Sequence, residues 1–281
     1  MPASILITGC STGIGYHCAM ALKEDGYRVL ATARKAEDVD MLKAQGLEAC
    51  QLDLDCSTSI QDAVDWALGL TGGTLDALFN NGAYGQPGAV EDLSRDVLRA
   101  QFETNVFGWL ELTNLVLPVM RRQGHGRIVM NSSVLGLVAM KYRGAYNASK
   151  FALEGLTDTY RQELAGSGVE ISLIEPGPIT SAFRQNALAA FKRNIAYQHG
   201  AHARVYAGVL KRLEGGEGEG SAFTLPPAAV YRALKHALEH RHPKARYYVT
   251  TPTWLLGTLR RFLPTRWLDR ILMKAADSEN R

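Results

Sequence analysis

"SILITGCSTGIGYHCAMALKEDG", residues 4–26, decides the fold. Its first five residues, Ser4–Thr8, form a short apolar run without alternation, as in a parallel strand buried on both faces. Gly9, Gly13 and Gly15 then crowd one turn. From about Ile14 to Glu24 the apolar residues recur at helical spacing until Asp25-Gly26 stops them. The glycines are spaced four and two, not two and three as in G-x-G-x-x-G. The physical need is the same: a tight turn, close backbone approach to a pyrophosphate, and a free helix N-terminus facing its charge. Gly9, Ser11, Thr12, Gly13, Ile14 and Gly15 are therefore the expected phosphate-binding residues.

Outward from this unit, strands and helices alternate. "YRVLATA" (Tyr27–Ala33) predicts a second strand and Ala36–Gln45 a polar helix. "EACQLDL" (Glu48–Leu54) predicts a third strand, Ser57–Leu68 a helix, and "LDALFNNGA" (Leu75–Ala83) a fourth strand. One long helix is expected over Ser94–Arg122, with Asn105 and Gly108 in its middle. "GRIVMNSS" (Gly126–Ser133), a helix over Gly144–Ala165 and "VEISLIEPG" (Val169–Gly177) continue the pattern. An irregular region follows, then a helix over Pro227–Glu239 and the strand "ARYYV" (Ala245–Val249). Such alternation predicts an α/β fold: a doubly wound, Rossmann-type parallel sheet of about seven strands with helices on both faces. Ligands in these sheets sit beyond the carboxyl ends of the strands.

An acidic residue at the end of the second strand would hold a ribose 2′-hydroxyl. Here the sequence is Thr32-Ala33-Arg34-Lys35, with two cations and no carboxylate. A guanidinium grips a 2′-phosphate that a carboxylate repels. The expected cofactor is thus NADP(H) rather than NAD(H), with Arg34 as the main contact and Lys35 beside it. The bland reading is two solvated loop charges.

The totals narrow the class. The chain has 281 residues, 46% hydrophobic and 21% charged, enough for one sizeable core. The formal charge of +3 and the lack of a basic run with interleaved aromatics exclude nucleic acid as an expected partner. Cys10, Cys18, Cys50 and Cys56 show no C-x-x-C spacing, which fits a reducing, cytoplasmic compartment. No signal peptide and no stretch of about 18 apolar residues is evident.

"YNASKFALEGL" (residues 146–156) places Tyr146 and Lys150 four positions apart, on one helix face with Cβ atoms about 5–6 Å apart. Tyrosine normally titrates near pH 10, and a neighbouring ammonium favours its phenolate. A half-exposed helix face is the alternative reading. With "TGCSTGIG", "DL" (Asp53-Leu54), "NNGA" (Asn80–Ala83), "TNVFG" (Thr104–Gly108), "NSS" (Asn131–Ser133), "YNASK" and "EPGPITSAF" (Glu175–Phe183), the chain resembles the short-chain dehydrogenases/reductases over about Ser4–Phe183. "YNASKFALEGL" is most similar to the branch holding 17β-hydroxysteroid dehydrogenase type 1 and the retinol dehydrogenases.

The resemblance implies a tetrad of Asn105, Ser133, Tyr146 and Lys150. Ser133 is preferred to Ser132 because it lies thirteen residues before Tyr146, the family spacing. It also implies cofactor contacts from Asp53 and Leu54 to the adenine and from Asn80, Asn81 and Gly82 along the trough. Tyr146 and Lys150 at the ribose, and Pro176, Gly177, Ile179, Thr180 and Ser181 at the nicotinamide, complete them. "NNGA" stands for the commoner "NNAG", and Ser181 for a threonine. Tyr146 would act as acid, Ser133 would hold the carbonyl oxygen, and Asn105 would hold a water linking Lys150 to solvent. A homodimer through the two long helices is also implied.

One domain over 1–281 is expected, with 183–225 as a substrate and lid region and 253–281 as an amphipathic extension. "SVLGLVAMKY" after Ser133, and Phe183, Phe191, Tyr197 and Tyr206, suit a lipophilic carbonyl or secondary alcohol of steroid, retinoid or long-chain type. "EGGEGEGS" (Glu214–Ser221) reads as a mobile surface loop. His236, His240 and His242 lack a completing ligand, so no metal is expected. The tail could cover the site, pack on a partner or lie weakly on an anionic membrane surface. Rival readings are a non-catalytic cofactor sensor and an epimerase or dehydratase of the same fold.

Overall fold

Every apolar run predicted as a strand lies in one sheet. The computed structural model describes residues 2–215 and 223–279. The strands are β1 (Ser4–Ile7), β2 (Arg28–Ala33), β3 (Glu48–Gln51), β4 (Ala77–Asn80), β5 (Gly126–Asn131), β6 (Val169–Glu175) and β7 (Arg246–Tyr248). They pair in parallel in the order β3-β2-β1-β4-β5-β6-β7. The order reverses between β1 and β4, which opens a crevice at their carboxyl ends.

Both faces are covered. Ile5 and Ile7 point toward α1 (Gly13–Glu24) and α2 (Ala36–Ala44), and with them toward a helix over Ala228–Glu239. Leu6 points the other way, toward α3 (Ser57–Thr71) and a helix over Gly108–Gln123. All three β1 side chains are fully buried, each contributing about 1.5–3 kcal/mol. This two-sided burial is why "SILI" shows no alternation.

Three expectations are corrected. The third strand ends at Gln51, not Leu54. Leu52 N–H makes a last bond to Ala33 O at 2.9 Å, then Asp53 donates to Ser59 Oγ at 2.9 Å and the chain turns. The long helix over 94–122 is broken into α4 (Arg95–Phe102), a π-turn over Glu103–Phe107 and α5 (Gly108–Gln123). Asn105 folds onto the backbone of Tyr84, 21 residues earlier, accepting from its N–H at 3.2 Å and donating to its carbonyl at 2.9 Å. The irregular region contains two helices, α7 (Phe183–Asn194) and α8 (Ala203–Glu214). Phe191, Tyr206, Val209 and Leu213 form a small core between them.

α6 (Gly144–Glu163) packs beside α5, and α9 (Ala228–Glu239) precedes β7. α10 (Thr251–Phe262) and α11 (Thr265–Glu279) end the described chain on either side of Pro264. Leu268, Leu272 and Ala276 of α11 bury against Leu135, Val138 and Met140, in the segment between β5 and α6. The glycine-rich stretch beyond Gly215 lies outside the described residues. Among the described residues, no helix is long and apolar enough to cross a membrane.

Candidate active site

The glycine turn is shaped by contacts that only glycine permits. Gly9 adopts φ +70°, and a Cβ there would meet Gly82 Cα at 2.6 Å. A Cβ on Gly15 would meet Gly9 O and, at 2.6 Å, Asn81 Nδ2. Thr8 locks the neighbouring loop: its Oγ1 accepts from the N–H groups of Asn81 and Gly82, both at 2.8 Å. Asn81 in turn donates to Thr8 O and accepts from Asn131 Nδ2 at 2.8 Å.

α1 begins without an acidic residue in its first turn, and Thr12 makes no side-chain cap. Its first N–H groups are therefore open to an anion. The residues present fit a pyrophosphate.

Arg34 is exposed just beyond β2. Among the described residues no carboxylate pairs with it, whereas Lys35 lies 3.5 Å from Glu37. Asp53 is half-buried and accepts from Asp55 N–H at 3.1 Å, with Leu54 buried beside it. Asn80 lies elsewhere than the trough expected for it. Its amide donates to Thr113 Oγ1 at 3.0 Å and is fully buried against α5. A β4 side chain pointing toward one face leaves the next, Asn81, pointing to the other.

The far wall comes from the segment after β6. Pro176 O accepts from Val134 N–H at 2.8 Å, and Gly177 packs on Thr250. Ile179 pairs with Leu225, and Thr180 N–H donates to Leu225 O at 3.1 Å. Ser181 lies against Gly13, where a Cβ would come within 2.8 Å of the serine's own Cβ. This closes the segment over the glycine turn.

The sequence-predicted tetrad converges at the ends of β5 and α6. The Tyr146 phenol lies beside the Ser133 hydroxyl, which favours its phenolate. Ser133 Oγ accepts from Leu135 N–H at 3.1 Å, which leaves its own proton free to point at the phenol oxygen or a bound oxygen. Ser132, the rejected candidate, is spent on Glu154. Lys150 is 1% exposed, donates to Asn131 O at 2.8 Å, and lies 4.6 Å from the Trp109 ring centroid and 5.6 Å from that of Tyr146. Asn105 approaches from the π-turn and donates to Ser149 Oγ at 3.3 Å. Its side-chain bonds go to the Tyr84 backbone and to Ser149.

Burial sets the protonation states. It pushes the Tyr146 phenol up to about 12, against the opposing pull of the Ser133 hydroxyl and the Arg143 charge. It pushes the Lys150 ammonium down to about 7, with Glu154 opposing. At neutral pH Tyr146 holds its proton, as a donor must.

Phe183, expected in the substrate region, packs edge-on against Tyr146, centroids 5.3 Å apart. Other residues escaped the sequence reading. Beneath the site, Arg246 of β7 bridges Glu154, Glu175 and Asp158. Glu175 is fully buried and its Oε2 has no partner. Burial and the Glu154 charge push its carboxyl up to about 8. The three carboxylates lie 71 to 92 residues from Arg246, beyond the reach of local spacing. His236 and His240 stack at 4.4 Å, with ring nitrogens contacting Tyr247 and the His242 carbonyl.

A doubly wound parallel sheet with a glycine turn at its switch point is the architecture of a dinucleotide-binding fold. Residues 3–191 match the family model for short chain dehydrogenases, and the chain belongs to that family. The uncharacterized oxidoreductase YbbO of Escherichia coli K12 is 42% identical over 97% of this chain and 94% of its own. Human retinol dehydrogenase 5 is 32% identical over 97% and 89%, and human 17-beta-hydroxysteroid dehydrogenase type 1 is 37% identical over 66% and 60%. A Burkholderia phymatum short chain dehydrogenase/reductase solved with NAD superposes with TM-score 0.77 at 26% identity, covering 92% of each chain.

Proposed function

We propose that this chain is an NADP(H)-dependent oxidoreductase that moves hydride between the nicotinamide and a lipophilic carbonyl or secondary alcohol. The observation that carries this reading is the buried Lys150 ammonium 5.6 Å from the Tyr146 ring centroid, with Ser133 beside the phenol. The cofactor supplies the hydride. The rest is done by side chains: Ser133 donates to the carbonyl oxygen, Tyr146 gives that oxygen its proton, and Lys150 stabilises the phenolate left behind. A sensor would not need this acid and modulator together. The same set argues against an epimerase or dehydratase.

NADP(H) is favoured by Arg34, a guanidinium with no carboxylate partner among the described residues. Arg34→Ala should weaken NADPH binding about 10–100-fold, the worth of one or two charge-assisted hydrogen bonds. NADH should be nearly unaffected. Michaelis constants for both cofactors check this, and equal effects would remove the preference.

The lipophilic substrate class is supported by Phe183, whose ring lies against the reacting Tyr146. Two relatives are named for retinol and a 17-beta-hydroxysteroid. The described residues of 183–225, which are 183–215 and 223–225, form the substrate wall in this reading. A panel of aliphatic, retinoid and steroid carbonyls, with NADPH consumption as readout, tests it. Charged, short carbonyls turning over best would count against it. A homodimer through α5 and α6 is part of the proposal, and sedimentation analysis reads it directly.

The tail adds a partner. α10 and α11 bury one face on the substrate segment and expose Trp254 (63%), Phe262 (79%) and Trp267 (61%) on the other. Arg261, Arg266, Arg270 and Lys274 flank these aromatics, against the single carboxylate of Asp269 between Trp254 and Lys274. Aromatics ringed by cations suit an anionic lipid surface. Flotation with phosphatidylglycerol vesicles, but not with phosphatidylcholine alone, is expected. Trp254→Ser with Trp267→Ser should abolish it. Equal binding to both vesicle types, or a double variant that instead breaks a dimer, would contradict the lipid assignment.

A further inference from the structure

Tyr146, Lys150 and Glu154 stand at i, i+4 and i+8 of α6, along one face. Each faces one of three consecutive residues at the end of β5. Tyr146 meets the Ser133 hydroxyl, Lys150 the Asn131 carbonyl, and Glu154 the Ser132 hydroxyl. The first two rungs serve the proposed reaction, whereas Glu154 has no part in it so far.

The Glu154 rung is built as tightly as the others. Its side chain is 9% exposed, and both carboxylate oxygens accept hydrogen bonds, one from Ser132 and one from Arg246. Gly136 makes room for it, because a Cβ there would meet Ser132 Oγ at 2.8 Å and Glu154 Cγ at 2.9 Å. We infer that Glu154 is a positioning residue for the reaction, acting through Ser132 on the strand end that carries Ser133 and through its charge on Lys150. This inference rests on the hydride-transfer reading above.

The surrounding charges make Glu154 the anion of its cluster. Lys150 and Asp158 face it along α6, Glu175 from β6 and Arg246 from β7, while Arg161 pairs with Asp158 at 2.5 Å. Burial raises the affinity of both glutamates for a proton. Glu154 has donors on both oxygens, whereas Glu175 Oε2 has none. The cluster's proton therefore resides on Glu175. The Glu154 charge supports the Lys150 ammonium, which burial alone would neutralise.

Glu154→Gln keeps the length and the Ser132 acceptor but removes the charge. Lys150 should then lose its proton at lower pH than in the native chain. The alkaline fall of carbonyl-reducing turnover should move down by about one unit, a tenfold loss on that limb. Turnover at acid pH should stay within about twofold, because protonated Lys150 is recovered there. Ser132→Ala, which keeps the charge, should lower turnover at every pH without moving the limb. Glu154→Asp should restore the limb.

A parallel NMR titration of Lys150 Nζ in isotope-labelled protein, assigned by its loss in Lys150→Arg, reads the same shift without turnover. Superimposable pH profiles and an unmoved Lys150 titration would overturn the role of Glu154. A shifted Lys150 in a protein that reduces no carbonyl would leave the coupling standing and defeat the hydride-transfer reading instead.

Discussion

Tyr146→Phe should lower carbonyl reduction by about 10²–10⁴-fold, the range for loss of a positioned general acid. The substitution deletes one oxygen and leaves the ring on Phe183. Ser133 Oγ keeps its Leu135 partner, and Lys150 keeps Asn131 O. Packing and the cofactor cradle therefore survive, and NADPH affinity by fluorescence titration should change by less than about threefold, under 1 kcal/mol. Residual turnover above a few per cent would mean that water or Ser133 delivers the proton.

The second large effect is on stability. Arg246→Ala leaves Glu154, Glu175 and Asp158 without their shared cation, two of them buried. Removing one partner of a buried ion pair typically costs about 3–5 kcal/mol, because the remaining charge stays in low dielectric. Urea unfolding at neutral pH should show a loss of this size.

The loss should shrink in acid. A carboxyl whose folded pKa is raised, as Glu175's is to about 8, adds stability below its unfolded value that disappears as pH rises through the folded value. For the native chain the falling window runs from the ordinary carboxyl pKa of about 4.3 up to about 8. Without Arg246 the glutamates hold their protons still more firmly, so the variant should lose stability over a wider alkaline span. A cost independent of pH would place the effect of Arg246 in packing alone.

The parts of this molecule legible in sequence are those governed by local period and local chemistry. Ser4–Thr8 reads as a buried strand because both of its faces are apolar. Tyr146 and Lys150 read as a pair because helical spacing puts them together. The break at Asn105 was hidden because its cause is the Tyr84 backbone, brought close only by the turn after β4. Asn80 and Asn81 look alike in sequence, yet strand alternation sends one into α5 and the other onto Thr8.

α8 was readable in principle. Tyr206, Val209 and Leu213 have helical spacing, and they pack with Phe191 into a small core. Arg246 could not be placed beside Glu154 at all, since that contact needs β7 to dock on β6.

The measurement closest to the central claim is a single turnover with NADPH carrying deuterium at the nicotinamide C4 on its transferable face, using a long-chain or retinoid aldehyde. The account predicts one deuterium at the carbinol carbon of the product, formed by the native chain and absent with Tyr146→Phe. Product without deuterium, or the same yield from both proteins, would contradict it.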